Sequence, residues 1–182
     1  MSHILVVTGS VRPNSVNEKI VAYVVNALKE QDVQTTIADL KELDLPFFND
    51  QNPPSSPDFA PTNAAVKRWT DMVGSASGVV LVTPEYNHTM SPVQLNAVDW
   101  VYKEWHGKPV ALVGYGWRSG AGQAQATARE ALAVNLKAEV LDTQTNLFFM
   151  KDLQPDGTIA DEAAVAQKIG ATLDELLTAV GK

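Results

Sequence analysis

Short apolar runs alternate along this chain with stretches in which apolar residues recur at helical spacing. The run from Ile4 to Val7 has four apolar residues, three of them β-branched, which is typical of a strand buried on both faces. The next apolar positions follow the spacing of an amphipathic helix: Ile20, Val21, Val24, Val25 and Leu28. The pattern predicts a central parallel strand that leads through a loop into a helix.

The same alternation continues to the end of the sequence. Further strands are predicted at 33–38, 79–82, 109–113 and 138–141, and 146–150 either extends the last strand or forms a short extra one. Further helices are predicted from a cap at Thr62 through Val73, over 92–105, from Gly122 to about Val134, and from Val165 to Val180. A loop rich in Pro and Ser precedes the second helix, and 114–122 is predicted to be a glycine-rich turn.

Five strands alternating with five helices predict one α/β domain, residues 1–182, whose doubly wound parallel sheet has helices on both faces. Ligands of such sheets bind beyond the carboxyl ends of the strands. The loops after the first, third and fourth strands carry the Gly and polar residues, and these loops are neighbours in the order 2-1-3-4-5 but not in the order 3-2-1-4-5-6. We therefore predict the flavodoxin-like order, 2-1-3-4-5.

The loop after the first strand suits an anion. Gly9 lets a ligand approach the backbone, and the helix that follows begins with free N–H groups that attract phosphate. The candidate side-chain donors are three hydroxyls and a guanidinium: Thr8, Ser10, Ser15 and Arg12. Alternatively, Ser15 and Glu18 have the spacing of a capping box, which needs no ligand. A cap explains neither the guanidinium nor the other hydroxyls, so a phosphate site is favoured.

Composition narrows the chemistry. The formal charge of −7 is spread along the chain without a Lys/Arg run, which argues against nucleic acid or an anionic membrane surface as a partner. The absence of cysteine excludes disulfides and thiol catalysis, so redox chemistry would need a bound organic cofactor. No stretch reaches the ~18 apolar residues of a membrane span, and no signal-like segment opens the chain, so a cytoplasmic location is expected.

Four motifs together resemble the NADPH-dependent FMN reductase family: GSVRPNSVN at 9–17, PEYN at 84–87, NAVDW at 96–100 and GKPVALV at 107–113. The resemblance covers nearly the whole chain and implies FMN as cofactor with NADPH or NADH as hydride donor. It places the FMN phosphate on the first loop: Ser10, Arg12, Ser15, Asn17 and the backbone near Val16. It places the isoalloxazine ring on the other two loops: Pro84, Glu85, Tyr86, Asn87, Gly116, Trp117 and Ser119.

The chain departs from the family pattern in two places. Gln94 and Leu95 stand where many relatives have Leu and Lys, and in the third loop Trp117 stands where glycine is common. These departures concern the side on which nicotinamide and acceptor would stack, so they leave FMN binding intact and bear on acceptor size. Arg118 either meets the 2′-phosphate of NADPH or is a solvated surface arginine.

Two other motifs are weaker. The Gly-x-Gly at 120–122, with Asp142 twenty residues further on, imitates half of a Rossmann fingerprint, but Gln125 replaces the third glycine. Glu85 and His88 have E-x-x-H spacing, but the chain has only three histidines and no second ligand pair. We therefore expect neither a Rossmann-type dinucleotide-binding site nor a metal site.

The favoured function is an FMN-dependent oxidoreductase that takes hydride from NAD(P)H at the flavin N5 and reduces a small acceptor, such as flavin or quinone, in a ping-pong cycle. No catalytic side chain is expected, because the cofactor carries the chemistry. The alternatives are a flavodoxin-type electron carrier, against which Arg12 speaks, and a non-catalytic module on the same fold. A homodimer or homotetramer is predicted because 92–105 carries more apolar surface than one sheet face covers.

Overall fold

The computed structural model describes residues 2–181, in which five strands are interspersed with six α-helices; Met1 and Lys182, the ends of the predicted domain, lie outside it. The strands are β1 (His3–Val7), β2 (Gln34–Ala38), β3 (Gly78–Pro84), β4 (Pro109–Gly116) and β5 (Glu139–Phe148). The helices are α1 (Val16–Lys29), α2 (Leu40–Leu43), α3 (Ala64–Ser75), α4 (Pro92–Asp99), α5 (Gly122–Arg129) and α6 (Glu162–Ala179).

The strands form one parallel sheet in the order β2-β1-β3-β4-β5. The predicted flavodoxin-like order is therefore confirmed, and the Rossmann-like order 3-2-1-4-5-6 is excluded. The continuous apolar runs of β3 and β4 are buried over their whole length, as strands covered on both faces require. Segment 146–150 extends the last strand to Phe148 instead of forming a separate one.

Helices cover both faces of the sheet, as predicted. On one face α1 and α6 pack through apolar side chains that include Ile20, Val24, Leu28, Ile169, Leu173 and Leu176. On the other face α3, α4 and α5 pack through side chains that include Val66, Trp69, Val73, Ala97, Val98 and Ala128. Among residues 2–181 no helix combines the length and apolarity that a membrane span needs.

The predicted helix over 92–105 is too long. The α-helix ends at Asp99, and a separate 3-10 turn covers Lys103–Trp105. Trp100 and Trp105 are both buried in the same core, although residues five apart lie about 140° apart around a straight helix. The chain must therefore leave helical geometry to bury both rings.

Further boundaries differ from the sequence-based ones. The helix predicted from Gly122 to about Val134 is α-helical only to Arg129 and continues as a π-helix over Glu130–Asn135. The side chain of Asn63 caps α3, accepting from the backbone N–H of Ala65 at 2.8 Å, so Thr62 is not the cap. The short helix α2 was not predicted; Asp39 caps it by accepting from Lys41 N at 2.9 Å. The strand β4 runs to Gly116, into the predicted glycine-rich turn.

The apolar surface that predicted an oligomer is largely covered by the chain itself. Loop 44–61 folds over it: the indole N–H of Trp100 donates to the carbonyl oxygen of Pro46 at 2.8 Å, and the ring of Phe48 lies 4.8 Å from that of Trp100. On α4 only Leu95 remains an exposed large apolar side chain. The reasoning from this helix was therefore wrong, and the oligomer remains a prediction.

Candidate active site

Three loops meet at the carboxyl ends of the adjacent strands β1, β3 and β4. We call 8–15 the first loop, 85–91 the second loop and 117–121 the third loop. Together they enclose a cavity of about 470 Å³. Most of the predicted site residues line it: Ser10, Arg12, Ser15, Val16, Pro84, Glu85, Tyr86, Gly116 and Trp117. Asn17, Asn87 and Ser119 are not among the lining residues.

Asn17 holds the first loop in place from behind. Its side chain is fully buried, where Oδ1 accepts from the backbone N–H of Gly9 at 3.0 Å and Nδ2 donates to the carbonyl oxygen of Val82 at 3.0 Å. Both polar ends of the amide are thus used to join the loop to β3. The side chain of Asn17 therefore shapes the site, and its contact with the phosphate stays a prediction.

Thr8 and Gly9 differ from their predicted roles. The hydroxyl oxygen of Thr8 accepts from Leu40 N at 2.9 Å and so connects the first loop to α2. A Cβ atom at position 9 would lie 2.3 Å from the carbonyl oxygen of Val82 and 2.5 Å from Cδ of Pro84. Glycine is therefore required there because the neighbouring strand approaches closely, and not to admit a ligand.

The remaining polar groups of the first loop lie at one end of the cavity. The hydroxyl oxygen of Ser10 is 3.3 Å from that of Tyr86 and accepts from Arg12 N at 3.3 Å. Ser15 caps α1, but it accepts from the backbone N–H of Asn17 at 3.2 Å and not from that of Glu18 as a capping box requires. The exposed guanidinium of Arg12 forms no ion pair with any of residues 2–181. Hydroxyls, a guanidinium and a helix N-terminus are the donors that bind phosphate.

Tyr115 completes this end of the cavity and was missed from the sequence. Burial raises the pKa of its phenol to about 12, although Asn17 and Ser15 beside the hydroxyl, and the charge of Arg12, favour the ionised form. The phenol is therefore neutral at physiological pH and remains a hydrogen-bond donor. The sequence did contain a signal for it, since Tyr115 stands between Gly114 and Gly116 at the end of a predicted strand.

The second loop contains a tight turn that explains Asn87. The backbone of Tyr86 and that of Thr89 exchange two hydrogen bonds of 3.0 Å, and the two residues between them, Asn87 and His88, have φ angles of 50° and 66°. Asparagine tolerates this left-handed conformation better than most residues. Asn87 is exposed and forms the turn, so its predicted contact with the ring is not supported by its position outside the cavity wall.

Glu85 joins the second loop to the third. Its Oε2 accepts from the hydroxyl of Ser119 at 2.5 Å and from Gln123 N, in the first turn of α5, at 3.3 Å. A carboxylate at a helix N-terminus is favoured by the helix dipole. Ser119 is therefore a partner of Glu85. His88 Nδ1 lies 3.5 Å from the other carboxylate oxygen, and within residues 2–181 no three His, Cys, Asp or Glu side chains are grouped to hold a metal.

Aromatic side chains form another part of the cavity wall. The ring of Trp117 stacks on that of Phe149 with centroids 4.8 Å apart and 29° between planes, and Tyr115 meets Phe149 edge-on at 6.2 Å. Phe149 and Pro155 come from the segment after β5, and Arg118 adds a second guanidinium. Sequence reasoning missed Phe149 and Pro155 because the pairing of β5 with β4 brings them to the third loop from more than thirty residues away.

Comparisons with known proteins agree with this geometry. The profile of the NADPH-dependent FMN reductase family matches residues 2–149. An NAD(P)H-dependent FMN reductase of Nectria sp is 30% identical over 193 residues, covering 99% of this chain and 94% of the relative. One from Schizosaccharomyces pombe is 29% identical over 168 residues, covering 92% and 83%.

A solved flavoenzyme, the NAD(P)H:(acceptor) oxidoreductase FerB of Paracoccus denitrificans, has the same fold, with a TM-score of 0.77, 24% identity and 98% of each chain covered. The prediction of the family from four motifs is confirmed, and with it FMN as cofactor and NAD(P)H as electron donor. A profile match over most of the chain, on a flavodoxin-like sheet with a phosphate-binding donor set, shows that this chain belongs to the NADPH-dependent FMN reductase family.

Proposed function

We propose that this chain is an FMN-dependent oxidoreductase that takes hydride from NAD(P)H and reduces a small acceptor, such as a flavin or a quinone, in a ping-pong cycle. One observation carries the proposal. The cavity at the carboxyl ends of β1, β3 and β4 combines the phosphate donors of the first loop with aromatic side chains, among them Tyr86, Tyr115 and Trp117. FMN has the matching construction, because a dianionic phosphate is joined to a flat ring.

The residues present fit FMN. Ser10, Ser15 and Arg12 would hold the phosphate with the N-terminus of α1, and Tyr115 adds a neutral hydroxyl. Pro84, Tyr86 and Gly116 offer apolar surface and backbone groups to the ring. The cavity volume of about 470 Å³ lies within the usual range of small-cofactor sites, about 300–1,000 Å³.

The protein's own task is to hold and orient. Bound FMN supplies the hydride and two-electron chemistry, so no protein acid–base pair is required. Glu85 keeps the second and third loops together through Ser119 and Gln123 N, which fixes the two walls between which the ring would lie. In the net reaction with a quinone, NAD(P)H and one proton from water give NAD(P)⁺ and the quinol, so two electrons and two protons reach the acceptor.

Steady-state kinetics test the order of events. With NADPH varied at several fixed quinone concentrations, double-reciprocal lines should be parallel, because the donor product leaves before the acceptor binds the same open face. Lines that intersect to the left of the ordinate would show that donor and acceptor bind together, and the ping-pong cycle would be withdrawn.

Replacing Arg12 by Ala should weaken FMN binding by about 10- to 150-fold, which corresponds to the loss of a charge-assisted contact of about 1.5–3 kcal/mol. The measurement is titration of the apoprotein with FMN and, in parallel, with riboflavin, which lacks the phosphate. Riboflavin affinity should change little. Arg68→Ala on α3 is the matched control, since Arg68 is exposed and does not line the cavity. An unchanged FMN dissociation constant in the Arg12 variant would remove Arg12 from the site.

The two alternatives make different predictions. A flavodoxin-type carrier would bind FMN but would not be reduced by either nicotinamide, because it has no place for the dinucleotide. A non-catalytic module would stay colourless after FMN addition. Arg12 and the exposed aromatic residue Trp117 at the cavity mouth favour the reductase.

We further propose a single-domain, cytoplasmic protein that forms a homodimer or homotetramer. Two exposed apolar side chains, Val11 and Phe47, line a groove between the first loop, α2 and α4, and form an apolar patch there. Phe47 is 76% exposed, and apolar patches of this kind mark interaction surfaces. This patch replaces the buried face of 92–105 as the physical reason for assembly.

Sedimentation at micromolar concentration should therefore show a species larger than 19.6 kDa, and Phe47→Glu should shift it toward that mass by placing a charge in the patch. A control change at exposed Glu42 to Gln, on α2, should leave the sedimentation unchanged. A 19.6 kDa species alone in the unaltered protein would refute the oligomer.

A further inference from the structure

We propose that Trp117 and Arg118 bind the adenosine 2′-phosphate end of NADPH, so that the third loop makes this enzyme prefer NADPH to NADH. The inference rests on the proposed function and names the residues that choose the donor. It rests on the exposed ring of Trp117, on the guanidinium of Arg118, which is unpaired among the described residues, and on Phe149, which supports the ring of Trp117.

The first component is a free aromatic face. Trp117 is 62% exposed at the mouth of the cavity, and its ring is supported on one side by Phe149 at 4.8 Å. The position of Phe149 is itself fixed, because its backbone N–H donates to the carbonyl oxygen of Gly116 at 3.2 Å. A supported indole with one face open to solvent is a platform on which a nucleobase stacks.

The second component is an uncommitted guanidinium. Arg118 lines the same cavity, is exposed, and makes no hydrogen bond or ion pair with any of residues 2–181. The one carboxylate in the cavity wall, that of Glu85, is already engaged by Ser119 and Gln123 N. Arg12, the other lining arginine, belongs to the first loop with Ser10 and Ser15, where the FMN phosphate is placed. Arg118 is thus left to bind a second anion.

An aromatic ring and a guanidinium on consecutive residues suit one ligand. Consecutive residues have Cα atoms about 3.8 Å apart, so the ring and the guanidinium can meet a base and an anion that sit on the same sugar. Adenosine 2′-phosphate carries both on one ribose, whereas NADH has a neutral hydroxyl at that position. A guanidinium binds a phosphate dianion through charge-assisted, paired hydrogen bonds, which a hydroxyl cannot replace.

The exposure of Trp117 and Arg118 also fits a role in binding NADPH. Trp117 and Arg118 both line the cavity and are exposed, so the adenosine of an NAD(P)H bound on the solvent side of FMN would meet them. The chain as a whole carries a charge of −7, which repels a phosphorylated nucleotide in general. Recognition of the extra phosphate therefore needs a local cation.

Binding of fragments tests the site without turnover. FMN-loaded protein is titrated by calorimetry with 2′,5′-ADP and with 5′-AMP, which differ only in the 2′-phosphate. We expect 2′,5′-ADP to bind about 10- to 150-fold more tightly. In Arg118→Gln the two should bind nearly equally, because 5′-AMP does not use the guanidinium. In Trp117→Leu both should weaken together, by about 5- to 150-fold, through loss of stacking.

Arg68→Gln is the matched control, because it removes one exposed positive charge from α3, away from the cavity, and it should retain the preference of the unaltered protein. The proposal is overturned if the unaltered protein binds the two fragments equally, or if Arg118→Gln keeps the preference. Retained FMN absorbance in each variant shows that the fold and the cofactor site are intact.

Kinetics separate this inference from the proposed function. The ratio of kcat/KM for NADPH to that for NADH should fall in Arg118→Gln by about the same 10- to 150-fold factor. If NADPH and NADH both reduce the protein but the kcat/KM ratio is the same in Arg118→Gln, the proposed reductase activity is supported and the proposed 2′-phosphate site is overturned. If neither donor reduces it while 2′,5′-ADP still binds preferentially, the site stands and the reductase is wrong. A loss of rate confined to anionic acceptors would assign Arg118 to the acceptor and overturn the proposal.

Discussion

Replacing Asn17 by Ala should lower the free energy of unfolding by roughly 2–6 kcal/mol, because it leaves two buried backbone groups without partners, each at a cost of about 1–3 kcal/mol. The groups are the N–H of Gly9 and the carbonyl oxygen of Val82, both now bonded to the Asn17 side chain at 3.0 Å. Because these bonds hold the first loop against β3, FMN affinity should fall as well.

Urea unfolding of the apoprotein and FMN titration measure the two effects. Asn17→Asp retains an acceptor for the Gly9 N–H, but its ionised carboxylate would be buried without a cation and would face the carbonyl oxygen of Val82, so its loss of stability should equal or exceed that of Asn17→Ala. Asn26→Ala is the control on the same helix, since Asn26 is exposed, and it should stay within about 0.5 kcal/mol of the original. If Asn17→Ala weakened FMN binding without loss of stability, the side chain would contact the cofactor directly, contrary to the structure.

Lys168→Met should destabilise the fold by about 3–5 kcal/mol, because it leaves the carboxylate of Asp152 buried without its ionic partner. Asp152 is 1% exposed, and both of its oxygens lie 2.7 Å from Lys168 Nζ. One of them also accepts from Phe148 N at 2.9 Å. The pair therefore fixes the turn from which Phe149 and Pro155 reach the cavity, and FMN binding should weaken together with stability.

A surface ion pair provides the comparison. Lys19 and Asp156 lie 3.6 Å apart with more than half of each side chain exposed, so Lys19→Met should cost no more than about 1 kcal/mol. The double change Asp152→Leu with Lys168→Met should be less destabilised than Lys168→Met alone, since it removes the stranded charge. Equal stability losses for Lys168→Met and Lys19→Met would show that the Asp152 site is solvated.

The sheet and the place of the site were predictable because both follow from local patterns. Apolar runs such as 4–7 can be buried only as central strands, and polar loops after three of them must meet at the carboxyl edge if those strands are adjacent. Position along the chain then placed residues such as Ser10 and Tyr86 at the cavity. The sequence pattern does not show whether a side chain in a loop faces the cavity or the protein interior.

The sequence is least informative where a side chain has two possible partners. Asn17 has the chemistry of a phosphate ligand, but its amide satisfies two backbone groups of the protein, and nothing in the local sequence distinguishes the two roles. Phe149 was beyond reach because only the register of β5 on β4 brings it to the third loop. The apolar face of 92–105 was predicted to be exposed, but loop 44–61 covers it. That loop has no periodic pattern that would have predicted the contact.

The most direct test of the central claim is anaerobic mixing of FMN-loaded protein with NADPH, and separately with NADH, while the flavin absorbance near its visible maximum is recorded. Direct hydride transfer requires donor and flavin atoms to come within about 3–3.5 Å, which an enzyme of this family must permit and an electron carrier need not. We expect rapid bleaching with NADPH, slower with NADH, followed by return of the colour when a quinone is added. No bleaching by either nucleotide, together with rapid reduction by a separate reductase protein, would contradict the assignment and identify a carrier.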